Sequence, residues 1–336
     1  MVTVGEISTW HSVIVGTISI SLNSLLLFTI CSRSLKVVGA YKYMMLATAA
    51  LDILFSMVDM CASPTFASVD LLSSLLIVMG GFRFIPAKLG RILLIGFMFL
   101  LCQTIVTPPC LFSFRYLQIC RSHFLSMYYH RLQFLLIIPV VISSSCCAMI
   151  SFAAWPTKSD RKLFDGIASH INVDWNSPYL VASFHKYATS YDRAQSKVLM
   201  MATISLVVVM IVGLGWMVFC TKAIMDAAKQ ATDRKTRNLQ VQLCRTLIAQ
   251  SAVPFFFIHV PFYICILMPL MDWDTGMISD FLPFLFAWSP ATNPLIVLYF
   301  VRDYRTFLLR KFIRFKYESS PTSSVFYVSK KKQTIG

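Results

Sequence analysis

Apolar residues run along this chain in seven long stretches, at 11–31, 43–63, 92–114, 132–154, 198–220, 246–270 and 279–300, each set off by polar segments that carry the charge. A hydrocarbon core of about 30 Å is crossed by about 20 residues in helical form, so each stretch is long enough to span a bilayer. The pattern predicts an all-α membrane protein, a bundle of seven transmembrane helices. An odd number of spans puts the two ends of the chain on opposite sides of the membrane. One further apolar run, Leu71 to Gly81, is about 11 residues long and too short to cross. It is expected in an outer loop or as an interfacial extension of the second helix.

Charge sets the orientation. The segments 32–42, 115–131, 221–245 and 301–336 hold 3, 3, 6 and 9 Lys and Arg residues, together 21 of the 30 in the chain. The positive-inside rule places these segments in the cytoplasm and the N-terminus outside. If Leu71 to Gly81 crossed the membrane, this asymmetry would collapse. The net charge of +15 is thus a topological signal. Its dispersal over four loops argues against a nucleic-acid partner.

A chain that is 57% hydrophobic and 13% charged, with a mean hydropathy of +0.68, is unlike a soluble domain, in which about a quarter of residues are charged. Met1 to Trp10 holds no Lys or Arg to form a signal-peptide n-region, and Arg33, Lys36 and Lys42 follow the first span, which reads as a signal anchor. The expected organisation is an extracellular N-terminus at 1–10, a seven-helix domain at 11–300, an amphipathic juxtamembrane helix at 301–317 and a flexible basic tail at 318–336. None of the ten cysteines falls in the long outer loop 155–197, so no disulfide can tie that loop to a helix. The cysteines read as small apolar packing residues, with Cys220 at the membrane edge as a candidate for palmitoylation. No internal repeat is visible.

Polar side chains inside spans are costly unless they face the bundle interior. Asn23, Asp52 and Asn293 each lie about 8–9 residues from the inner end of their spans, which at about 1.5 Å per residue sets all three about 12–14 Å from the cytoplasmic boundary. They are expected to form one interior polar cluster, acting as a switch or fixing the packing. Asp59, seven residues past Asp52 and on nearly the same helix face, is a candidate to line an outward cavity or to pair with Lys88 or Arg91. Gln103, alone among strongly polar residues deep in the third span, is a candidate for ligand contact or for a bond between helices. Pro254, Pro261 and Pro294 are expected to kink the last two spans, because each removes a backbone donor. At the inner end of the third span, Arg115, flanked by Phe114 and Tyr116, either snorkels to phosphates or docks a cytoplasmic partner.

Several of these residues carry a family resemblance. Ile20-Ser21-Leu22-Asn23, the run Ser34 to Tyr43, Asp52-Ile53 and Phe114-Arg115-Tyr116 resemble the nematode serpentine chemoreceptors of the Str superfamily. So do Leu239-Gln240, Gln250 with Pro254 and Pro261, and Asn293-Pro294 with Asp303-Tyr304-Arg305, in family order from about residue 20 to 310. The resemblance implies a G-protein-coupled receptor in the plasma membrane of sensory-neuron cilia. It implies a small environmental molecule and a heterotrimeric G protein as partners, and it puts Arg115 and Tyr116 at the coupling face. Two features depart from the broader rhodopsin-like pattern. Phe114 stands where an acidic residue usually precedes the arginine, and Tyr299 falls two positions later than expected after Asn293-Pro294.

Other classes lose their chemistry. A channel or transporter needs a continuous polar lining or broken helices at the midplane, and an intramembrane enzyme needs a zinc motif or a Ser/His pair at depth, neither of which the sequence supplies. A scaffold or pseudoreceptor that does not signal keeps the same fold. The last span has no Lys for a retinal Schiff base, and no cofactor or metal is expected. In Val301 to Tyr317, Val301, Tyr304, Leu308, Phe312 and Phe315 share one side of a helical projection, with Lys311 intruding, and arginines dominate another. That pattern predicts a helix lying along the anionic inner leaflet of the lipid bilayer.

Overall fold

The computed structural model describes residues 4–32, 41–70, 73–78, 86–121, 134–158, 160, 177–184, 186–230, 234–268, 271 and 276–318. Among the described residues, seven helices are long and apolar enough to cross a membrane. They are α1 (Val4–Ser32), α2 (Tyr41–Ala62), α3 (Ala87–Cys120), α4 (Phe134–Ala154), α5 (Ser190–Gln230), α6 and α7 (Gly276–Phe300). α6 is built in three pieces, Arg234–Pro254, a wide π turn at Phe255–His259, and Val260–Leu267. A final helix, α8 (Arg302–Glu318), follows α7 after a single residue. The helices match the seven apolar stretches, and α1, α3, α5 and α7 extend beyond theirs at one end or both. α5 has 41 residues, about 60 Å at the helical rise, so it projects past a hydrocarbon core of about 30 Å.

The structure adds a small antiparallel sheet to the helical bundle, from β1 (Pro64–Asp70), β2 (Ser73–Val78) and β3 (Tyr179–Ser183), in the order β1-β2-β3. Phe66 pairs with Leu76 and Leu75 with Val181. Residues 73–78 of the short apolar run are therefore a strand, and the alternative of an interfacial helical extension of α2 is corrected for them. The reason is local. Ser63 has a φ of 37°, its N–H closes the last turn on the Asp59 carbonyl at 2.6 Å, and Pro64 has no N–H with which to continue the helix.

Two apolar cores divide the bundle. One, beneath the sheet, is centred on Leu94, Phe97, Leu101, Leu206 and Phe286; the other, at the α8 end, on Ile30, Phe112, Leu247, Val301 and Tyr304. On α2, α6 and α7 the polar residues Asp52, Gln250 and Asn293 fall between the segments that feed the two cores. On the outer faces, large apolar residues such as Val212 and Val218 are 65% and 69% exposed, as lipid-facing positions require. All ten cysteines are free, and Cys220 is fully buried, which removes it as a palmitoylation site.

Candidate functional site

Directly beneath the sheet is a chamber of about 90 Å³. Phe66 of β1 and Leu180 and Ala182 of β3 roof it, and Met98 of α3, Thr203 of α5 and Cys265 of α6 are among the residues that wall it. Among the described residues, Thr203 is the one lining residue with a hydroxyl, and none carries a charge. A site of this kind selects by shape and apolar contact, with a single strong hydrogen-bonding group to orient what enters.

Neither sequence-level candidate for ligand contact lies in this wall. Asp59 is 1% exposed and lies near Ser12 of α1, with its Oδ1 and the Ser12 hydroxyl both lacking a hydrogen-bond partner among the described residues. The suggested partner Arg91 stacks instead on the rings of Trp155 and Tyr179, at 5.4 and 5.8 Å. Gln103 is buried deeper, in the wall of a second cavity of about 70 Å³ that it shares with Asp52, Thr107 and Asn293. The side-chain oxygens of Gln103, Thr107 and Asn293 have no protein partner there, so the cavity offers several acceptors to a water molecule.

The polar layer around this second cavity joins three helices. Asn293 of α7 donates through Nδ2 to Asp52 Oδ2 of α2 at 2.9 Å. Asn23 of α1 does not bond Asp52. Its Nδ2 donates to the Pro290 carbonyl of α7 at 3.0 Å and to the Ser19 carbonyl at 3.1 Å. Ser19 and Ser56 link α1 to α2 through a hydroxyl pair at 2.7 Å, and the Ser56 hydroxyl also lies 2.9 Å from the Asp52 carbonyl. The choice of Pro290 has a covalent cause. In a regular helix its carbonyl accepts from the N–H four residues on, and that residue is Pro294, which has none. Asn23 supplies the missing donor.

A second contact between helices lies at α3 and α6. Pro108 withholds its donor from the Thr104 carbonyl, and His259, at the end of the π turn, comes up to the same residue. The Thr104 hydroxyl lies 3.3 Å from His259 Nε2. Pro109 abuts Gly213 of α5, where a Cβ would sit 2.9 Å from the proline ring. The adjacent prolines in the third apolar stretch were the available signal; the partner on α6 was not. Pro254 directly precedes the π turn and Pro261 directly follows its C-terminal boundary residue Val260, so the break in α6 spans the interval between them.

At the α8 end, Arg115 is 2% exposed. Nη1 donates to Gln118 at 2.6 Å, the guanidinium lies 4.7 Å over the Tyr41 ring, and Nε and Nη2 have no partner. Phe114 fills the place of an acidic partner and packs beside Tyr41 at 6.3 Å. Tyr116 points to α5, against Trp216 and Phe219. α8 is anchored by Tyr304, whose phenol is pushed up to about 12 by burial, with the neighbouring Asp303 carboxylate adding to the effect. Lys311, the cation that broke the amphipathic pattern, sits 4.1 Å over the Phe28 ring of α1. The side chains of Phe312 and Phe315 lie outside the described residues.

Seven membrane-crossing helices, an apolar chamber roofed at one end and a buried arginine at the other define a serpentine receptor. The family profile described as "Serpentine type 7TM GPCR chemoreceptor Str" matches residues 8–309, and the chain belongs to that family. It is similar to "G-protein coupled receptor str-33" of Caenorhabditis elegans, with 25% identity over 306 residues that cover 87% of this chain and 86% of that one. It is also similar to "Serpentine receptor class r-10" of the same nematode, at 24% identity over 308 residues and 87% of each chain. "Serpentine receptor class r-10" of Caenorhabditis briggsae is 23% identical over 316 residues, 89% of each chain. The protein is therefore a multi-pass membrane protein of a receptor family.

Proposed function

We propose that this protein is a chemosensory receptor of the plasma membrane, on the cilium of a sensory neuron, that binds a small uncharged molecule in the chamber beneath the sheet. It answers by activating a heterotrimeric G protein at the face that carries α8. The observation that carries the reading is the chamber itself, whose described lining residues are apolar but for one hydroxyl, that of Thr203. An ionised ligand would lose its hydration there without gaining a countercharge, so neutral molecules are favoured. A volume of about 90 Å³ admits only a few heavy atoms unless the roof shifts, since a cavity of about 150 Å³ holds benzene.

In this reading Arg115 waits with two unpaired guanidinium nitrogens, Nε and Nη2, for acceptors supplied by the G protein, and the cations of α8 rest on the anionic inner leaflet. Gln103 acts below the ligand, through the polar layer.

The test is ligand-evoked G-protein dissociation in cells expressing the full chain, over a panel of small neutral ketones, alcohols and esters set beside amines and carboxylates. Ala182→Phe should fill the chamber and abolish responses at unchanged surface expression. Thr203→Val should shift the dose response of hydrogen-bonding agonists by about tenfold, the value of one lost hydrogen bond, and leave apolar agonists alone. Responses confined to charged compounds, or indifferent to Ala182→Phe, would refute the assignment.

A further inference from the structure

The roof of the chamber is held by charge in a place where no cysteine is available. Asp160, beyond the end of α4, and Lys186, beyond β3, form an ion pair at 2.8 Å with only 7% and 5% of their side chains exposed. Asp160 Oδ2 also accepts from the Thr157 N–H and hydroxyl at 2.8 and 2.9 Å. Lys186 donates a second time, to Gln195 Oε1 of α5 at 3.3 Å.

Each partner is tied in turn to a different element. The Gln195 amide donates to the Phe152 and Trp155 carbonyls at the end of α4, both at 2.9 Å. The Ser196 hydroxyl, one residue on, accepts from the Lys186 N–H at 2.9 Å and lies 3.2 Å from the Ser183 carbonyl that ends β3. The end of α4, the exit of β3 and the first turns of α5 thus meet at one buried knot. Leu180, Ala182 and Phe184, on the chain that enters this knot, line the chamber.

We propose that Lys186 and Asp160 are positioning residues that clamp β3 over the chamber and hold it closed. The functional consequence, control of ligand access, rests on the reading of the chamber as the ligand site; the closure itself does not. Buried charges of this sort lose heavily when one partner is removed, because the other is left without a countercharge, whereas replacing both with apolar groups is often neutral. The clamp should therefore fail in either single variant and return in the double one.

Cys265 gives a readout that needs no ligand. It lines the chamber, is 7% exposed and is unpaired, while Cys220 and Cys244 are buried near the opposite end. The full chain in lipid nanodiscs is exposed to N-ethylmaleimide, and the modification rate of each cysteine is followed by mass spectrometry. Lys186→Met and Asp160→Leu should each raise the rate at Cys265 by about tenfold or more, with Cys220 and Cys244 unchanged, and the double variant should return to within about threefold of wild type. Ser196→Ala, which cuts a neutral tie without stranding a charge, should also speed Cys265 and serves if a single charge variant does not fold. A wild-type rate at Cys265 in these variants overturns the proposal, as does equal acceleration at all three cysteines, which would make the pair a general support of the bundle. A clamp that passes this test in a receptor indifferent to Ala182→Phe would leave the closure standing and the ligand assignment refuted.

Discussion

The bond from Asn23 to the Pro290 carbonyl makes a prediction whose sign depends on a residue that Asn23 does not touch. Asn23 is fully buried and donates to two carbonyls, those of Ser19 and Pro290. The Ser19 carbonyl keeps its helical partner when Asn23 is removed, because the backbone N–H of residue 23 remains. The Pro290 carbonyl has no such reserve, since Pro294 supplies no N–H. Asn23→Ala therefore strands one buried acceptor, a loss of about 1–3 kcal/mol in a sealed interior, while hydrogen bonds between membrane helices average about 0.6 and reach about 1.7 kcal/mol. We take about 1–2 kcal/mol, which at about 2–4 °C per kcal/mol lowers the apparent Tm by several degrees. In a Pro294→Ala background the helix regains its own donor for the Pro290 carbonyl. There Asn23→Ala should cost about 1 kcal/mol less, and the cavity left by the truncated side chain cancels in the comparison. The assay is thermal unfolding of the four purified variants in nanodiscs at one scan rate, because unfolding of such chains is commonly irreversible. Equal cost of Asn23→Ala in both backgrounds would refute the compensation argument.

Further outcomes follow from the other contacts. Asp52→Ala and Asn293→Ala, which each break the same 2.9 Å bond, should be non-additive by about 0.5–1.5 kcal/mol in the same assay, and strict additivity would deny that the bond contributes. Arg115→Ala should abolish or strongly blunt G-protein activation while surface expression stays within about twofold of wild type, since the side chain makes only one hydrogen bond at rest and keeps others for a partner; normal signalling from a well-expressed variant would end that assignment. A peptide spanning Val301 to Tyr317 should become helical on anionic vesicles and bind less in high salt, each cation near the surface being worth up to about 1 kcal/mol. Random coil on such vesicles at low salt, or equal binding to neutral ones, would refute the inner-leaflet placement.

Much of the fold was legible because a bilayer imposes a length threshold that sequence meets or misses outright. Leu71 to Gly81 fell below it, and so was kept out of the membrane, yet its run of leucines has neither a helical nor an alternating period and gave no sign of β2. Strand pairing there depends on β3, about a hundred residues away in sequence, and on a helix stop at Ser63 that shows only as a backbone angle. The polar layer was legible in depth but not in detail. Counting residues set Asn23, Asp52 and Asn293 at one level, and Asp52 and Asn293 are in contact, but depth along a helix says nothing of rotation, and rotation sends Asn23 to Pro290.

The prolines carry more information than their usual reading as kinks. Each one in a helix interior names a carbonyl, four residues earlier, that must find a donor elsewhere. Pro294 names Pro290, served by Asn23 from α1, and Pro108 names Thr104, whose hydroxyl lies 3.3 Å from His259 of α6. At Pro290 the donor lies on another helix, so the broken backbone bond becomes a bond between helices. Such a bond differs from a packing contact in one respect that bears on a receptor. If either helix rotates or slides by a fraction of a turn, the carbonyl loses its only donor in a medium without water to replace it. The penalty opposes partial displacement and favours a small number of discrete arrangements. Asn23, the donor that stitches α1 to α7 in this way, is the side chain at which that preference can be tested by a single substitution.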